Sequence, residues 1–256
     1  MRIRHLVLAT SLLAGLPLAA YAADLAPQPV EPAPPIVEPY SWTGFYAGIN
    51  GGYAFGTKHH VRMNEDDGPN LLYGSTYGDL TPKGGFGGIQ AGYNQQFGGF
   101  VFGLEADIQG AGIAGKTTST DFSADYTLTT KSRTNWFGTV RPRIGYAFDN
   151  ILIYATGGLA FGGVKYKQDY LDFGGIPHYT SYPGKSDTRI GYALGGGVEY
   201  AITQNWSVKL EYQYVDLGRS NLDGVEVRSG LPTEYSIHTK LRTDFHTVRL
   251  GLNYRF

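Results

Sequence analysis

From Trp42 onward the chain repeats one pattern, a run about ten residues long in which apolar side chains alternate with polar or small ones. Successive side chains of a strand point to opposite faces, so this period of two predicts strands with one apolar face. About eight such runs can be marked out. The first, Trp42 to Phe55, sets Phe45, Ala47, Ile49, Tyr53 and Phe55 against Tyr46, Gly48, Asn50 and Gly52. The second is Phe86 to Phe97, and Gly98-Gly99 turns it into a third, in which Phe100, Phe102, Leu104, Ala106 and Ile108 alternate with Val101, Gly103, Glu105, Asp107 and Gln109. The fourth, Arg133 to Ala147, opposes Trp136, Val140, Ile144 and Tyr146 to Asn135, Thr139, Arg141 and Arg143, and Pro142 within it predicts a bulge or another local irregularity. The fifth, Ile151 to Val164, is apolar on both faces, which leaves its parity unassigned. The sixth sets Ile190, Tyr192, Leu194, Val198 and Tyr200 against Arg189, Gly191, Ala193, Gly195, Gly197 and Glu199. The seventh sets Trp206, Val208, Leu210, Tyr212 and Tyr214 against Ser207, Lys209, Glu211 and Gln213; the last sets Val248, Leu250, Leu252, Tyr254 and Phe256 against Thr247, Arg249, Gly251, Asn253 and Arg255.

The connections between runs alternate strictly. Those after the second, fourth and sixth are short turns, whereas Gly56 to Gly85, Ala111 to Ser132, Lys165 to Thr188 and Gly218 to Leu241 are long, polar and glycine-containing. Short turns on one side of a membrane and long loops on the other are the arrangement of an outer-membrane barrel. Phe45, Phe97, Phe100, Tyr146, Phe148, Tyr200, Trp206, Tyr254 and Phe256 fall near the short-turn level and form one interfacial girdle. The expected fold is therefore all-β, an eight-stranded antiparallel up-and-down transmembrane β-barrel in the outer membrane of a Gram-negative bacterium. A soluble lipocalin-like barrel is the alternative, with the aromatic face buried and the charged face wet.

Composition fits strands: 20 Tyr, 13 Phe and 37 Gly in 256 residues suit pleated sheets with tight bends. Cys is absent, which excludes disulfides, thiolate metal sites and a lipid-anchored N-terminal Cys. The formal net charge of -1 gives no electrostatic case for nucleic acid. At the N-terminus, Arg2 and Arg4 precede the apolar run Leu6 to Leu18, and Ala20-Tyr21-Ala22 offers small residues at a signal-peptidase spacing. That run falls short of the roughly 20 apolar residues of a spanning helix. The expected organisation is a signal peptide over 1–22, a Pro-rich periplasmic linker over 23–41, with prolines at 27, 29, 32, 34, 35 and 39, and a barrel over 42–256.

Charges within the strands follow parity. Glu105, Asp107, Arg141, Arg143, Arg189, Glu199, Lys209, Glu211, Arg249 and Arg255 all lie opposite the aromatic and branched face. Arg or Lys on the lipid face would cost about 2 to 4 kcal/mol at mid-bilayer, so these residues belong inside. Counting back from the turn after Ala201 puts Glu199 opposite Lys209, and similar depth puts Glu105 and Asp107 near Arg141 and Arg143. An interior ion network follows. It reads as a plug rather than a pore lining, because side chains fill a barrel of about eight strands.

Candidate chemistry is sparse. His59, His60, His178 and His238 fall in the long connections and have no evident triad. His59-His60 with Glu65, Asp66 and Asp67 could be imagined on a metal or haem iron, but adjacent residues do not converge on one ion without a fixed scaffold. His246 lies on the apolar face of the last strand near its outer end, with no serine nucleophile or orienting carboxylate apparent at its depth. Gly84-Gly85-Phe86-Gly87-Gly88 and Gly157-Gly158 lack the spacing and the following helix of a phosphate-binding loop. No catalytic residue, cofactor or metal site is expected, and the protein is read as a non-enzyme.

Several motifs occur together: Ala23-Asp24-Leu25, Trp42-Thr43-Gly44-Phe45-Tyr46-Ala47-Gly48, Arg143-Ile144-Gly145-Tyr146-Ala147, Tyr154-Ala155-Thr156-Gly157-Gly158-Leu159-Ala160 and the ending Tyr254-Arg255-Phe256. Through them the chain resembles the RopB-like small outer-membrane proteins of alphaproteobacteria. The resemblance implies an eight-stranded barrel with a structural, surface-exposed role in the envelope, some relatives being porin-like, haem-binding or host-contacting. Phe256, with Tyr254 two positions earlier, resembles the strand signal read by the barrel-assembly machinery. Expected partners are outer-membrane lipid, lipopolysaccharide and that machinery, with a host or small-molecule ligand at the external loops as a further reading. A small or oligomeric channel is the competing function.

Overall fold

A computed structural model describes residues 40–57, 59–66, 76–121, 126–172, 178–228 and 231–256. Ten strands are present: β1 (Gly44–Gly56), β2 (His59–Asp66), β3 (Thr76–Leu80), β4 (Lys83–Phe97), β5 (Phe100–Asp121), β6 (Tyr126–Phe148), β7 (Ile151–Asp172), β8 (His178–Ala201), β9 (Trp206–Arg228) and β10 (Leu231–Arg255). Eight of them, β1 and β4 to β10, pair antiparallel with their neighbours, and β1 pairs with β10 to close the ring. Closure leaves no free edge at the membrane level. The signal-peptide expectation and nearly all of the linker expectation fall outside the described residues, and the barrel itself starts at Gly44, after a buried Trp42.

Parity works as a period of two should. Phe45, Ile49, Tyr53, Phe102, Leu104, Ile108, Ile144, Leu194, Leu210 and Leu250 all point outward and are exposed, forming an apolar belt around the wall. The register pairs these rows, as in Ile49↔Ile89, Ile89↔Ile108 and Ile49↔Leu252. β7 resolves the parity that its composition leaves open: Leu152, Tyr154 and Thr156 are buried inside, while Ile151, Ile153 and Leu159 face outward. The short turns use residues that tolerate positive φ, Gly98 at 59° and Asp149 at 52°.

The local irregularity expected at Pro142 is present as a gap in the ladder rather than as a bulge, and the reading of the long connections needs correction. Pro142 causes no bulge: the β6–β7 register runs unshifted from Val140↔Leu159 to Arg143↔Thr156, skipping Arg141 and Pro142, and the Thr156 hydroxyl donates to the Pro142 carbonyl at 2.9 Å. Proline removes a donor without adding a residue, so the ladder is interrupted and the count is kept. Bulges sit elsewhere, between Gly110 and Ile113, Thr134 and Trp136, Tyr166 and Gln168, and Arg242 and Asp244.

The long connections are also mostly strand. β5 and β6 stay paired out to Asp121↔Tyr126, β7 and β8 to Asp172↔His178, and β9 and β10 to Leu231↔Arg228, while β2 pairs with β10 and β3 with β2. These segments mix polar and apolar residues without a sustained period of two, which hides them from a hydrophobic-period reading. Their β-branched threonines still favour pairing, with cross-strand hydroxyl contacts at Thr118–Thr129 (3.2 Å) and Thr120–Thr127 (3.0 Å).

Candidate functional site

The inward side chains of β1 and β4 to β10 fill the lumen in three layers. The middle layer is ionic. Arg141 Nη2 lies 3.0 Å from Glu105 Oε1 and 2.9 Å from Asp107 Oδ2, and its Nη1 lies 2.9 Å from Glu211 Oε1. Arg143 reaches Glu199 at 2.7 Å, Lys209 reaches Glu105 at 2.7 Å, and Arg249 reaches Asp107 at 3.3 Å and Glu211 at 3.2 Å. Hydroxyls satisfy the remaining lone pairs: Tyr46 donates to Glu105 (2.8 Å), Tyr154 to Glu211 (2.7 Å) and Ser207 to Glu199 (2.6 Å). Glu105, Asp107, Glu199 and Glu211 thus face Arg141, Arg143, Lys209 and Arg249 in equal number, so the layer carries no net charge with which to select ions.

Parity decides which side a residue takes but not its depth, and two of the sequence-selected residues lie outside this layer. Arg189 sits farther out and donates to the Arg219 carbonyl at 2.9 Å. Arg255 is at the turn end, its guanidinium 4.1 Å from the Tyr40 ring centroid and donating to the Gln204 carbonyl at 2.6 Å. Arg255 thus uses aromatic and backbone partners at the turn rim. The register does set Glu199 opposite Lys209 and Glu105 opposite Arg141.

Apolar layers close both sides of the ionic one. On the outer side Phe86, Phe137 and Phe245 meet edge to face, with centroids 5.3 Å apart in both pairs, among Ile113, Val164, Val215 and Leu217. On the turn side Trp42 packs with Val101, Leu152, Tyr154 and Ala201. Its indole donates to the Asp149 carbonyl at 3.2 Å, and its backbone N–H donates to Gln96 Oε1 at 2.8 Å. Sequence reasoning misses both layers. The outer residues keep the inward phase but are apolar where the pattern expects polar or small side chains, and Trp42 precedes the strand whose pattern it seems to join. An uninterrupted period-two count on the inward face of β9, continued past Gln213 to Val215 and Leu217, was the available signal.

Interior glycines make the room. A Cβ on Gly92 would stand 2.5 Å from the Tyr46 ring and 2.6 Å from the Leu104 carbonyl, and one on Gly251 would meet Lys209 at 3.0 Å. These glycines therefore fit the long side chains arriving from neighbouring strands.

Among the described side chains, His246 joins no constellation for chemistry. His246 faces outward, with its Nδ1 2.6 Å from the Tyr212 hydroxyl and its ring stacked near Phe55 and Tyr212. Its neighbours are aromatic. His59, His60, Glu65 and Asp66 lie on β2, and Asp67 is outside the described residues. Among the described residues, no group of three or more His, Asp or Glu is placed to hold a metal ion.

Comparison with known proteins agrees with this geometry. The model of the outer membrane protein beta-barrel domain family matches residues 8–256. The 31 kDa outer-membrane immunogenic protein of Brucella melitensis is 39% identical over 98% of this chain and 99% of its own length. The 22 kDa outer membrane protein of Rhizobium leguminosarum is 34% identical over 76% of this chain and 71% of its own, and the 25 kDa outer-membrane immunogenic protein of Brucella abortus is 29% identical over 99% of both.

Proposed function

The chain belongs to the outer membrane protein β-barrel family, and from that premise we propose that it acts as a sealed barrel, a structural and surface-exposed component of the envelope without catalytic or channel activity. It resides in the outer membrane, as do its named relatives. The observation that carries the reading is the filled lumen: Arg141, Lys209 and Arg249 have 0% side-chain exposure and lie between two apolar layers. A solute or ion crossing it would have to break buried ion pairs and then cross aromatic packing, each step costing several kcal/mol.

The immunogenic character named for the Brucella relatives supports a surface-exposed role here. In this chain that surface is the set of tall hairpins β5–β6, β7–β8 and β9–β10, which extend the wall outward as paired strands. The barrel-assembly machinery and outer-leaflet lipid are the partners such a protein requires. The test is solute uptake in proteoliposomes. The proposal expects swelling in isotonic small sugars no faster than in protein-free vesicles, and a rate several-fold above that background would refute it.

A further inference from the structure

Outside the lumen, four neighbouring strands carry a concentration of cations that the sealed-barrel reading does not use. The register sets Lys83 opposite Ala114, Ala114 opposite Arg133, and Arg133 opposite Lys165. Two residues farther out it sets Lys116 opposite Lys131, and Lys131 opposite Lys167. All six cations are exposed, whereas the residues alternating with them, Ser132, Thr134, Val164 and Tyr166, are buried inside. They therefore form two parallel rows on the outward face of β4 to β7. With strands about 4.8 Å apart and a rise of about 3.3 Å per residue, five of the six charges fall within an area roughly 10 Å by 7 Å.

Like charges directly opposite one another destabilise a sheet, so strand pairing gives no reason for this arrangement. Among the described residues, one carboxylate offsets it: Asp169, 3.5 Å from both Lys131 and Lys167. Lys83, Lys116, Arg133 and Lys165 make no ion pair with a described residue. The far wall differs, because there Arg242 is matched by Asp216 and by Asp244 at 3.8 Å.

The rows also lie at a definite depth. Trp136 and Phe161 pack together on the outward face, centroids 6.2 Å apart, at the top of the apolar belt. Arg133 lies three residues before Trp136 and Lys165 four after Phe161, both on the outer side of that pair. That is roughly 10 Å along the strand, and less in height once the strands tilt. Lysine stems reach several Å farther back toward the membrane. This is the headgroup zone of the outer leaflet, where a polyanionic glycolipid presents clustered phosphates.

We propose that this double row binds the phosphate groups of lipopolysaccharide in the outer leaflet and fixes that lipid against β4 to β7. The inference rests on residence in the outer membrane and is independent of whether the lumen is sealed. It is tested with full-length protein refolded in detergent and fluorescent lipopolysaccharide carrying a bisphosphorylated lipid A. Wild type is compared with a variant carrying Lys116→Gln, Lys131→Gln, Arg133→Gln, Lys165→Gln and Lys167→Gln, its folding checked by heat-modifiable migration. The expected result is binding at least tenfold weaker in the variant, and an equal loss for wild type when the lipid is dephosphorylated. The second arm needs no variant, so it decides the matter even if the substitutions impair folding. Variant affinity within twofold of wild type, indifference to dephosphorylation, or equally tight binding to phosphatidylglycerol vesicles would each overturn the proposal.

Discussion

Arg141 stands directly opposite Glu105 across β5 and β6, its Nη2 3.0 Å from Glu105 Oε1, with both side chains buried in the lumen. The same guanidinium also holds Asp107 and Glu211, so one cation from β6 joins carboxylates on β5 and β9 across the barrel interior. A buried pair contributes little net stability as a whole, because desolvation offsets attraction, but removing one member strands the others.

Arg141→Ala should therefore destabilise the barrel by about 3–5 kcal/mol, since three buried carboxylates lose their common partner. Urea unfolding in detergent, followed by heat-modifiable gel migration, reads this directly. A shift under 1 kcal/mol would mean that the layer is hydrated rather than sealed.

Interior and exterior glycines should respond differently. Gly92→Ala places a methyl against the Tyr46 ring and the Leu104 carbonyl, and it should cost about 1–3 kcal/mol through overpacking. Gly110→Ala meets nothing closer than 3.9 Å and should be neutral or slightly stabilising. Equal unfolding midpoints for the two variants would contradict the room-making role.

Trp42 should behave as a core residue although it precedes the first strand. In a Trp136→Phe, Trp206→Phe background, which leaves it as the sole tryptophan of the three, its emission should be blue-shifted and shielded from acrylamide. Quenching as efficient as that of free tryptophan would place it in water.

On the outward face, Leu250→Arg puts a charge into the apolar belt from a residue that is 60% exposed on the isolated chain. The expected cost is about 2–4 kcal/mol near mid-bilayer, measured by unfolding in lipid vesicles. A cost under about 1 kcal/mol would contradict the lipid-facing assignment of Leu250.

How much of this was legible in the sequence differs by layer. The lipid-facing rows were readable because one face of each strand meets hydrocarbon and the other does not, which forces period two on residues such as Leu250 and Arg249. The opposition of Glu199 and Lys209 was readable because a short turn fixes register. Depth was not, and so Arg189 and Arg255 seemed to belong to a network that they do not enter. Phe137 and Phe245 were hidden for another reason: an inward apolar residue breaks the expected apolar-out pattern, and bulges at Thr134/Trp136 and Arg242/Asp244 shift the phase beside them. The outer strands read as loops because no sustained period of two runs through them. Pairing of threonines, not burial, marks them as strands.

Single-channel recording in planar bilayers, with the refolded full-length protein, tests the sealed lumen most directly. The account predicts a baseline free of discrete conductance steps at moderate voltage, because charged and aromatic layers fill the interior from Trp42 to Phe245. Steady, long-lived openings in wild type would contradict it and would place a continuous water path where the ion pairs now stand.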